Sequence, residues 1–387
     1  MTIRSIFFTL TAVLLFSGLT AGEVKGYSDY RPSSLDTTIY ILTCSPGTEV
    51  YSAFGHTALL YEAGDKSVVF NYGTFNSYDD NFIWKFSRGK LPYALSLEDY
   101  GRFQLEYLHG NRQIIAQELN LTRPQIGTLV RLLYENSLPE NKYYQYDFFY
   151  DNCSTRILEI LNKATKEQID WGLSQFSEEY SFRDIIDIYL ENQEWTDLGI
   201  DLALGLPCDK ILEPGDQAFL PDSFQVMCSS AKVNGVNLVK NEFELLPAEE
   251  SSVNKKFTER TSLIFILVTL IFGGLLYYFR HSKWGKFLAK LYLFINGIVG
   301  ILVFSLWFFT DHTATALNMN LMWANPLNLI FIFVNLKKWW KFFILLLCIT
   351  LISWPFVPQD FHESLLPLIA LFIGSALILA FSPSKGN

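Results

Sequence analysis

The C-terminal part of the chain constrains the fold most, because it consists of long apolar runs separated by short polar breaks. A helix needs about 20 mostly apolar residues to cross a bilayer. The apolar runs are Ser262–Phe279, Phe287–Phe309, Thr313–Val334, Phe342–Val357 and Ser364–Phe381. We therefore predict an all-α transmembrane bundle of about five helices over residues 261–382, followed by a short tail over residues 383–387.

The polar breaks between these runs alternate in charge. Two breaks and the tail are basic, and they carry Arg280, His281, Lys283, Lys286 and Lys290, then Lys337, Lys338 and Lys341, and finally Lys385. The other two breaks contain no Lys or Arg, and they carry Asp311 and His312, then Gln359, Asp360, His362 and Glu363. Because cytoplasmic loops are enriched in Lys and Arg, we predict that the basic breaks and the tail are cytoplasmic. The chain before residue 261 then lies on the outer side.

The N-terminus independently predicts export. Arg4 precedes an apolar core, Ile6–Phe16, and small residues follow as far as Gly22. This order is typical of a cleaved signal peptide over residues 1–22. The alternative is an uncleaved anchor, although the apolar core is short for a membrane span. Both signals predict a multi-pass protein of the inner (cytoplasmic) membrane whose soluble domain lies in the periplasm.

Charge and cysteine content bear on the partners and cofactors of the protein. The net charge of −9 argues against a nucleic-acid partner, since phosphate binding needs a basic face. The five cysteines show no zinc-like spacing, and we expect neither a metal nor another cofactor. Export places four of them in an oxidising compartment. Cys208 and Cys228 are close in sequence, so a disulfide between them is one option and two free thiols are the other.

Residues 23–250 show the mixed pattern of an α+β domain. Alternating β-branched residues predict strands over Thr37–Thr43, Ala58–Tyr61 and Ser67–Tyr72. Capping residues and apolar periodicity predict helices over Ser96–Leu108, Thr122–Ser137, Ser154–Lys163, Phe182–Glu191 and Trp195–Leu204. A polar linker, residues 251–260, leads into the first membrane helix.

Two short segments carry the residues of a candidate nucleophilic site. Cys153 is predicted to lie in the first turn of a helix, where the partial positive charge of the helix N-terminus stabilises a thiolate. His56 lies at the start of a predicted strand. If the two side chains meet, they form a thiolate–imidazole pair, with backbone N–H groups of the helix start as an oxyanion hole. The alternatives are a buried structural thiol or a disulfide with Cys44, and a hydrogen-bonded histidine at a strand edge.

Asn71 and Arg156 are the polar residues that we expect beside this pair. Asn71 ends the strand predicted to pair with the His56 strand, so its amide is a candidate to fix the imidazole, as the third residue of Cys-His-Asn arrangements does. The alternative is a turn residue. Arg156 is a candidate phosphate ligand, or a partner of Asp151 or Glu159.

The third apolar run is unusually polar. Asn318, Asn325 and Asn328 fall near one helical face, and His312 lies at the predicted outer surface. Polar groups inside a membrane often mark function, so one expectation is a binding site for a lipid head group. The other expectation is hydrogen bonding between helices, with His312 as an interfacial histidine.

Four segments together resemble one protein family. They are Thr43–Gly47 with Ala53–Thr57, then Asn71–Phe75, then Tyr150–Arg156, and in the membrane part His312 with Asn318–Leu321 and Asn325–Leu327. This combination resembles the Lnb family, the lipoprotein N-acyltransferase of Bacteroides-type bacteria, over nearly the whole mature chain. The order of histidine before cysteine also resembles circularly permuted papain-like domains of the NlpC/P60 type, which implies that fold for the soluble domain.

The resemblance implies a reaction between two membrane lipids. It implies transfer of an acyl chain from a glycerophospholipid to the α-amine of the diacylated N-terminal cysteine of a lipoprotein. We expect Cys153 to form a thioester with His56 as the base. Two other functions stay open: a membrane-tethered papain-like cysteine peptidase or amidase of the cell envelope, and a non-enzymatic scaffold with Cys44 and Cys153 disulfide-bonded.

Overall fold

The computed structural model describes residues 37–76, 81–173, 180–248, 260–334 and 336–381. The predicted signal peptide (1–22), the tail (383–387) and all but Arg260 of the predicted linker (251–260) lie outside the described residues. The described part contains a soluble N-terminal domain of mixed sheet and helix, followed by a domain of apolar helices.

A seven-stranded sheet forms the centre of the soluble domain. Its strands are β1 (Thr37–Cys44), β2 (His56–Ala63), β3 (Lys66–Phe75), β4 (Pro92–Asp99), β5 (Ile114–Leu119), β6 (Tyr143–Gln145) and β10 (Val239–Leu246). A separate three-stranded sheet contains β7 (Ile169–Asp170), β8 (Lys232–Val233) and β9 (Val236–Asn237). The strand order is β10-β5-β1-β2-β3-β4-β6. The three predicted strands are confirmed as β1, β2 and β3, each longer than predicted.

Seven helices of the described soluble domain are interspersed with these strands along the chain. They are α1 (Phe82–Ser87), α2 (Tyr100–His109), α3 (Arg123–Ser137), α4 (Cys153–Thr165), α5 (Phe182–Leu190), α6 (Glu194–Ala203) and α7 (Pro221–Ser230). The predicted helices at α3, α4, α5 and α6 are confirmed to within two residues at each end. The α3 capping box forms as predicted, since Gln125 accepts a hydrogen bond from the N–H of Thr122 at 2.9 Å.

The predicted start of the α2 helix at Ser96 is wrong. Ser96 belongs to β4, where it pairs with Asn71 of β3, and the helix begins only at Tyr100. Asp99 is the N-cap, and its side chain accepts a hydrogen bond from the N–H of Arg102 at 3.2 Å. The long-range pairing with β3 therefore prevails over the local capping pattern at Ser96.

Of the two options for Cys208 and Cys228, the structure shows free thiols, and both are buried. Cys208 packs among the apolar side chains around Phe182 and Phe219, and its thiol donates to the carbonyl oxygen of Ala314 at 3.4 Å. These thiols therefore act as small core residues. Cys44 and Cys153 are free as well, so the disulfide on which the scaffold alternative depends is absent.

Four helices of the described C-terminal domain are long and apolar enough to cross a membrane. They belong to α8 (Thr261–Tyr278), α9 (Lys283–Phe309), α11 (Lys337–Ser353) and α12 (Leu366–Phe381), and a shorter helix, α10 (Asn328–Val334), precedes α11. Helix α12 contacts α8, α9 and α11, so it lies at the centre of the bundle.

The prediction of a continuous helix over Thr313–Val334 is wrong. Two short 3-10 turns, Thr313–Thr315 and Met319–Met322, precede the seven residues of α10. Gly300 of α9 permits the irregular backbone to come close, since a Cβ there would lie 2.5 Å from the carbonyl oxygen of Ala324. We call this broken stretch, residues 313–334, the third segment.

Asparagine side chains supply the hydrogen bonds that a broken helix loses inside a bilayer. Asn296 of α9 donates to the carbonyl oxygen of Trp323 at 2.8 Å, and it accepts from the N–H of Asn325 at 3.2 Å. It also accepts from the side-chain amide of Asn328 at 2.8 Å, and Asn328 accepts from the indole of Trp339 at 2.9 Å. Asn328 is buried, so its role is hydrogen bonding between helices and not binding of a lipid head group.

Both non-basic breaks contact the soluble domain. The N–H of Asp311 donates to the carbonyl oxygen of Arg88 at 2.9 Å, and the N–H of Asp360 donates to Asp209 at 2.9 Å. The soluble domain and the non-basic breaks therefore lie on one side of the bundle, which agrees with the side predicted from the charges.

The buried side chain of Arg183 joins α5 to α6 through ion pairs. Arg183 is 1% exposed and donates to Asp201 at 2.6 Å and to Asp209 at 2.8 Å. Arg183→Met leaves two buried carboxylates without their cation, which costs about 3–5 kcal/mol. We expect the thermal unfolding midpoint of the full-length protein in detergent, followed by tryptophan fluorescence, to fall by about 10 °C.

The control is Arg131→Met, which removes an exposed i,i+4 ion pair with Glu135. Exposed pairs contribute at most about 1 kcal/mol, so this midpoint should move far less. Equal shifts in the two variants would contradict a structural role for the Arg183 group.

Candidate active site

Cys153 is the first residue of α4, and the local sequence fixes that helix start. The side chain of Asn152 caps the helix by accepting hydrogen bonds from the N–H groups of Ser154 and Thr155, at 2.9 and 3.0 Å. The Thr155 hydroxyl in turn accepts from the N–H of Asn152 at 2.8 Å. This reciprocal cap holds Cys153 at the positive end of the helix.

His56 is the first residue of β2, and β2 packs directly against α4. The hydroxyls of Thr57 and Ser154 bond to each other at 2.8 Å, and both are buried, so they join the strand to the helix. The residue just before each of these two hydroxyl residues belongs to the site: His56 and Cys153 form a side-chain hydrogen bond. The structure thus brings the two predicted residues together.

Asn71 holds the imidazole from the neighbouring strand β3. The Nε2 of His56 lies 2.7 Å from the Oδ1 of Asn71, while the amide nitrogen of Asn71 donates to Glu98 at 3.0 Å. Because a carboxylate can only accept from that nitrogen, the Asn71 oxygen must face His56. Nε2 therefore carries a proton and donates it to Asn71, which leaves Nδ1 for Cys153. Ser96 donates to the same Glu98 carboxylate at 2.8 Å and holds it in place.

The electrostatics of the site favour a charged pair. Burial alone raises the pKa of the Cys153 thiol, but the charge of His56, its hydrogen bond and the N–H of Thr57 outweigh burial, so that this pKa lies below the ordinary value. Burial alone lowers the pKa of His56, but the charge and hydrogen bond of Cys153 and the bond to Asn71 raise it above the ordinary value. Both shifts favour the thiolate of Cys153 and the imidazolium of His56 over the neutral pair.

The other thiols of the soluble domain behave in the opposite way. Burial raises the pKa of Cys44 and of Cys208 to about 12, and it raises the pKa of Cys228 well above the ordinary value. Cys153 therefore differs from all three in having a lowered pKa, which favours its thiolate.

Two tyrosines stand beside the thiol. A Cβ added to Gly73, which has a φ of 87°, would lie 3.7 Å from the ring of Tyr146 and 3.9 Å from both the Tyr144 hydroxyl and the Cβ of Cys153. The Tyr144 hydroxyl is buried and makes no hydrogen bond of normal length with the described residues. Burial and the charge of Cys153 raise the pKa of Tyr144, so its hydroxyl stays protonated and available as a donor.

Arg156 packs against the ring of Tyr144. Its guanidinium forms a bidentate ion pair with Asp151, in which Nη2 donates to Oδ2 at 2.7 Å. The same guanidinium lies over the ring of Tyr144, 4.0 Å from the ring centroid. Of the roles expected for Arg156, the structure shows the pairing with Asp151.

Two of the remaining predicted residues, Asn318 and His312, lie where the membrane domain meets the soluble domain, and Asn325 bonds within the membrane domain. Asn318 is buried, and its amide donates to the carbonyl oxygens of Leu202 and Ala203 at 2.9 and 3.1 Å. The Nε2 of His312 bonds to the carbonyl oxygen of Phe86 at 3.1 Å, and Oδ1 of Asn325 accepts from the N–H of Leu327 at 3.0 Å. Asn318 thus joins the two domains, which corrects the expectation that it faces a lipid head group.

Sequence reasoning missed Glu98 and Tyr144. Glu98 fell inside a predicted helix, although the polar–apolar alternation of Ser96, Leu97 and Glu98 is also that of a strand. Tyr144 lies in a segment rich in Tyr and Phe, residues 142–150, and composition alone does not show which ring faces the thiol.

Comparison with known proteins identifies both domains. Residues 26–187 match the family model described as the Lnb N-terminal periplasmic domain, and residues 252–385 match the model described as the Lnb transmembrane domain. No curated protein and no solved structure matches the chain. The chain is therefore a membrane protein with a periplasmic part.

The charged pair predicts how Cys153 reacts with small alkylating reagents. In the wild-type protein, alkylation by iodoacetamide should reach its plateau at a pH below about 8.5, the ordinary thiol pKa. His56→Ala removes the imidazolium, so burial then dominates and alkylation should rise only above that pH. Mass spectrometry of the Cys153 peptide across pH measures both profiles.

His109→Ala is the control, because it removes an exposed histidine of α2 and should leave the profile unchanged. Identical profiles for the wild-type protein and His56→Ala would contradict the pairing of thiolate and imidazolium.

Proposed function

The chain belongs to the Lnb family, and from this premise we propose that it is a lipoprotein N-acyltransferase with Cys153 as its nucleophile. In this proposal residues 23–250 are the periplasmic catalytic domain, and residues 261–382 hold it at the inner membrane in several passes. The soluble domain is proposed to be a permuted papain-like domain, since its histidine and asparagine strands precede the cysteine helix in sequence.

The observation that carries the proposal is the arrangement around His56. The imidazole is fixed through Nε2 by Asn71, and its other nitrogen is left for a thiol whose pKa is lowered. This is the arrangement of a cysteine nucleophile with an oriented base. In this proposal Cys153 attacks as the thiolate and His56 holds the proton.

The first half-reaction forms a thioester. The Cys153 thiolate attacks the carbonyl carbon of a glycerophospholipid ester, and the ester carbon–oxygen bond then breaks. The departing alkoxide takes the proton that the His56 imidazolium carries, and a lysophospholipid leaves. His56 is then neutral, and the acyl chain is bound to sulfur.

The second half-reaction transfers the acyl chain to nitrogen. The α-amine of a diacylated lipoprotein attacks the thioester carbonyl, and neutral His56 accepts a proton from that amine. The carbon–sulfur bond breaks, an amide forms, and the thiolate and the imidazolium are restored. The products are a triacylated lipoprotein and a lysophospholipid, and no cofactor takes part.

Both half-reactions place negative charge on the carbonyl oxygen of the substrate. The N–H groups of Ser154 and Thr155 already donate to Asn152, so they do not supply the oxyanion hole expected from the helix start. We assign this role to the Tyr144 hydroxyl, which is buried beside the thiol, stays protonated and lacks a hydrogen bond of normal length. Arg156 positions the Tyr144 ring.

The position of the domain suits lipid substrates. Contacts at Asp311 and at Asp360 hold the soluble domain against the outer ends of the membrane helices. The acyl donor and the lipoprotein acceptor both reside in the same outer leaflet, within reach of a domain held there. In this proposal His312 helps to hold the domain there, through its hydrogen bond to the carbonyl oxygen of Phe86 in α1.

Cys153→Ala tests the reaction in cells. In a strain that lacks this protein, wild-type protein should restore N-acylated lipoproteins, and Cys153→Ala should leave their N-terminal amines free. Mass spectrometry of lipoprotein N-terminal peptides distinguishes the two. Cys348→Ala, a thiol of α11 outside the soluble domain, is the control and should restore N-acylation. N-acylated lipoproteins in the Cys153→Ala strain would contradict the mechanism.

Tyr144→Phe tests the oxyanion donor. Removing one such donor lowers kcat by about 100-fold or more. The alkylation profile of Cys153 should stay unchanged, because the hydroxyl does not titrate near neutral pH. Single-turnover acylation of a diacylated lipopeptide measures the rate, with Tyr150→Phe, an exposed neighbour, as the control. A rate within twofold of the wild-type rate would remove Tyr144 from the mechanism.

A further inference from the structure

The short helix α1 lies where the soluble domain meets the membrane domain. The carbonyl oxygen of Phe86 bonds to Nε2 of His312 at 3.1 Å, and the carbonyl oxygen of Arg88 accepts a hydrogen bond from the N–H of Asp311 at 2.9 Å. Lys90 also pairs with Asp311 at 3.6 Å. These contacts fix residues 82–90 beside the outer end of α9.

The surface of α1 has the composition of a membrane interface. Trp84 is 63% exposed and Phe86 is 51% exposed. Tryptophan is enriched at the level of lipid head groups, where its amphipathic ring is stable. Arg88 and Lys90 follow in the same segment, and basic side chains next to a membrane attract the phosphates of lipids.

A continuous row of aromatic rings leads from α1 to the thiol. Phe86 stacks on Phe82 with ring centroids 6.0 Å apart, and Phe82 stacks on Phe75 at 5.5 Å. Phe75 then meets Tyr93 edge-on at 5.3 Å, and Tyr93 stacks on Tyr146 at 4.4 Å.

Tyr146 ends this row at Cys153. Both side chains lie within 3.9 Å of the point that a Cβ on Gly73 would occupy. Burial and the charge of Cys153 raise the pKa of Tyr146. The reactive sulfur and the exposed surface of α1 are therefore the two ends of one aromatic row.

A cavity that is open to solvent lies beside Phe75, the middle ring of the row. Its volume is about 540 Å³, and it is lined by Thr74, Phe75, Asn76, Pro92, Ala94 and Tyr143. This volume is within the range of sites that hold small ligands. The mostly apolar lining suits a hydrocarbon chain better than a peptide backbone, which would need partners for its N–H and C=O groups.

We propose that residues 82–90 are the docking site for the donor glycerophospholipid, and that the aromatic row and its cavity guide the donor's acyl chain from the outer leaflet to Cys153. This inference rests on the proposed function, and it names the surface through which that function takes its donor. Arg88 attracts the phosphate while the lipid docks, and Trp84 and Phe86 enter the interface. The lipid then moves along the row until its ester carbonyl reaches Cys153.

Photo-crosslinking tests the proposal without depending on catalysis. Full-length Cys153→Ala protein is reconstituted in vesicles of phosphatidylethanolamine and phosphatidylglycerol that contain a phosphatidylethanolamine with a diazirine at the end of one acyl chain. After irradiation and digestion, mass spectrometry should locate the label on the peptides that contain Phe75, Trp84 and Tyr93. Label confined to residues 261–381 would overturn the proposal.

Two matched double variants sharpen the test. Trp84→Ala with Phe86→Ala should reduce the label on the Phe75 and Tyr93 peptides by about tenfold, because two aromatic anchors leave the interface. Leu105→Ala with Leu108→Ala removes similarly exposed apolar side chains from α2 and should leave the label unchanged. An equal loss of label in both double variants would also overturn the proposal.

The outcomes separate the inference from the proposed function. If wild-type protein acylates lipopeptides and the label avoids the aromatic row, the donor path is wrong and the reaction stands. If the label follows the row and wild-type protein transfers no acyl chain, the lipid site stands and the reaction is wrong.

Discussion

The hydrogen-bonded pair of Cys153 and His56 is the interaction on which the arrangement of the soluble domain depends. A thiolate without a partner is unstable when it is buried, because burial disfavours charge. Here the imidazolium, the N–H of Thr57 and the positive end of α4 all act on one sulfur atom. The first two come from β2 and the third from the helix that carries Cys153, so the sheet and the helix must pack in one register for the pair to form. The Thr57–Ser154 bond and the Asn152 cap fix that register.

The bilayer imposes a second constraint, which the third segment meets in an unusual way. Backbone groups inside a membrane need hydrogen-bond partners, and a continuous helix is the usual solution. Here Asn296 and Asn328 supply partners from their side chains, and Gly300 permits the close approach. Because the segment is broken, its outer half can turn towards the soluble domain, where Asn318 binds α6. Of the polar residues that first suggested a lipid site, Asn318 and His312 connect the two domains, and Asn328 bonds between membrane helices.

The sequence predicts local features well and long-range ones poorly. The Thr122 capping box and the first three strands depend on neighbouring residues, and they were predictable for that reason. Ser96 has a plausible local role as a helix cap, but pairing with β3 makes it part of a strand. Glu98 and Tyr144 reach the site only through strand pairing and the path of the chain before α4, so no local pattern reveals them. The third segment was read as a helix from its hydropathy, whereas its asparagines and Pro326 favour a break.

The proposed reaction requires that an acyl chain is bound transiently to the sulfur of Cys153. The most direct measurement is mass spectrometry of the Cys153 peptide after the wild-type protein has been incubated with phospholipid vesicles, without a lipoprotein acceptor, and quenched in acid. We expect a mass increase equal to one fatty acyl group, which hydroxylamine removes and which diacylated lipopeptide discharges. An unmodified Cys153, or one that carries a peptide fragment after incubation with cell-envelope peptides, would contradict the account and favour a peptidase.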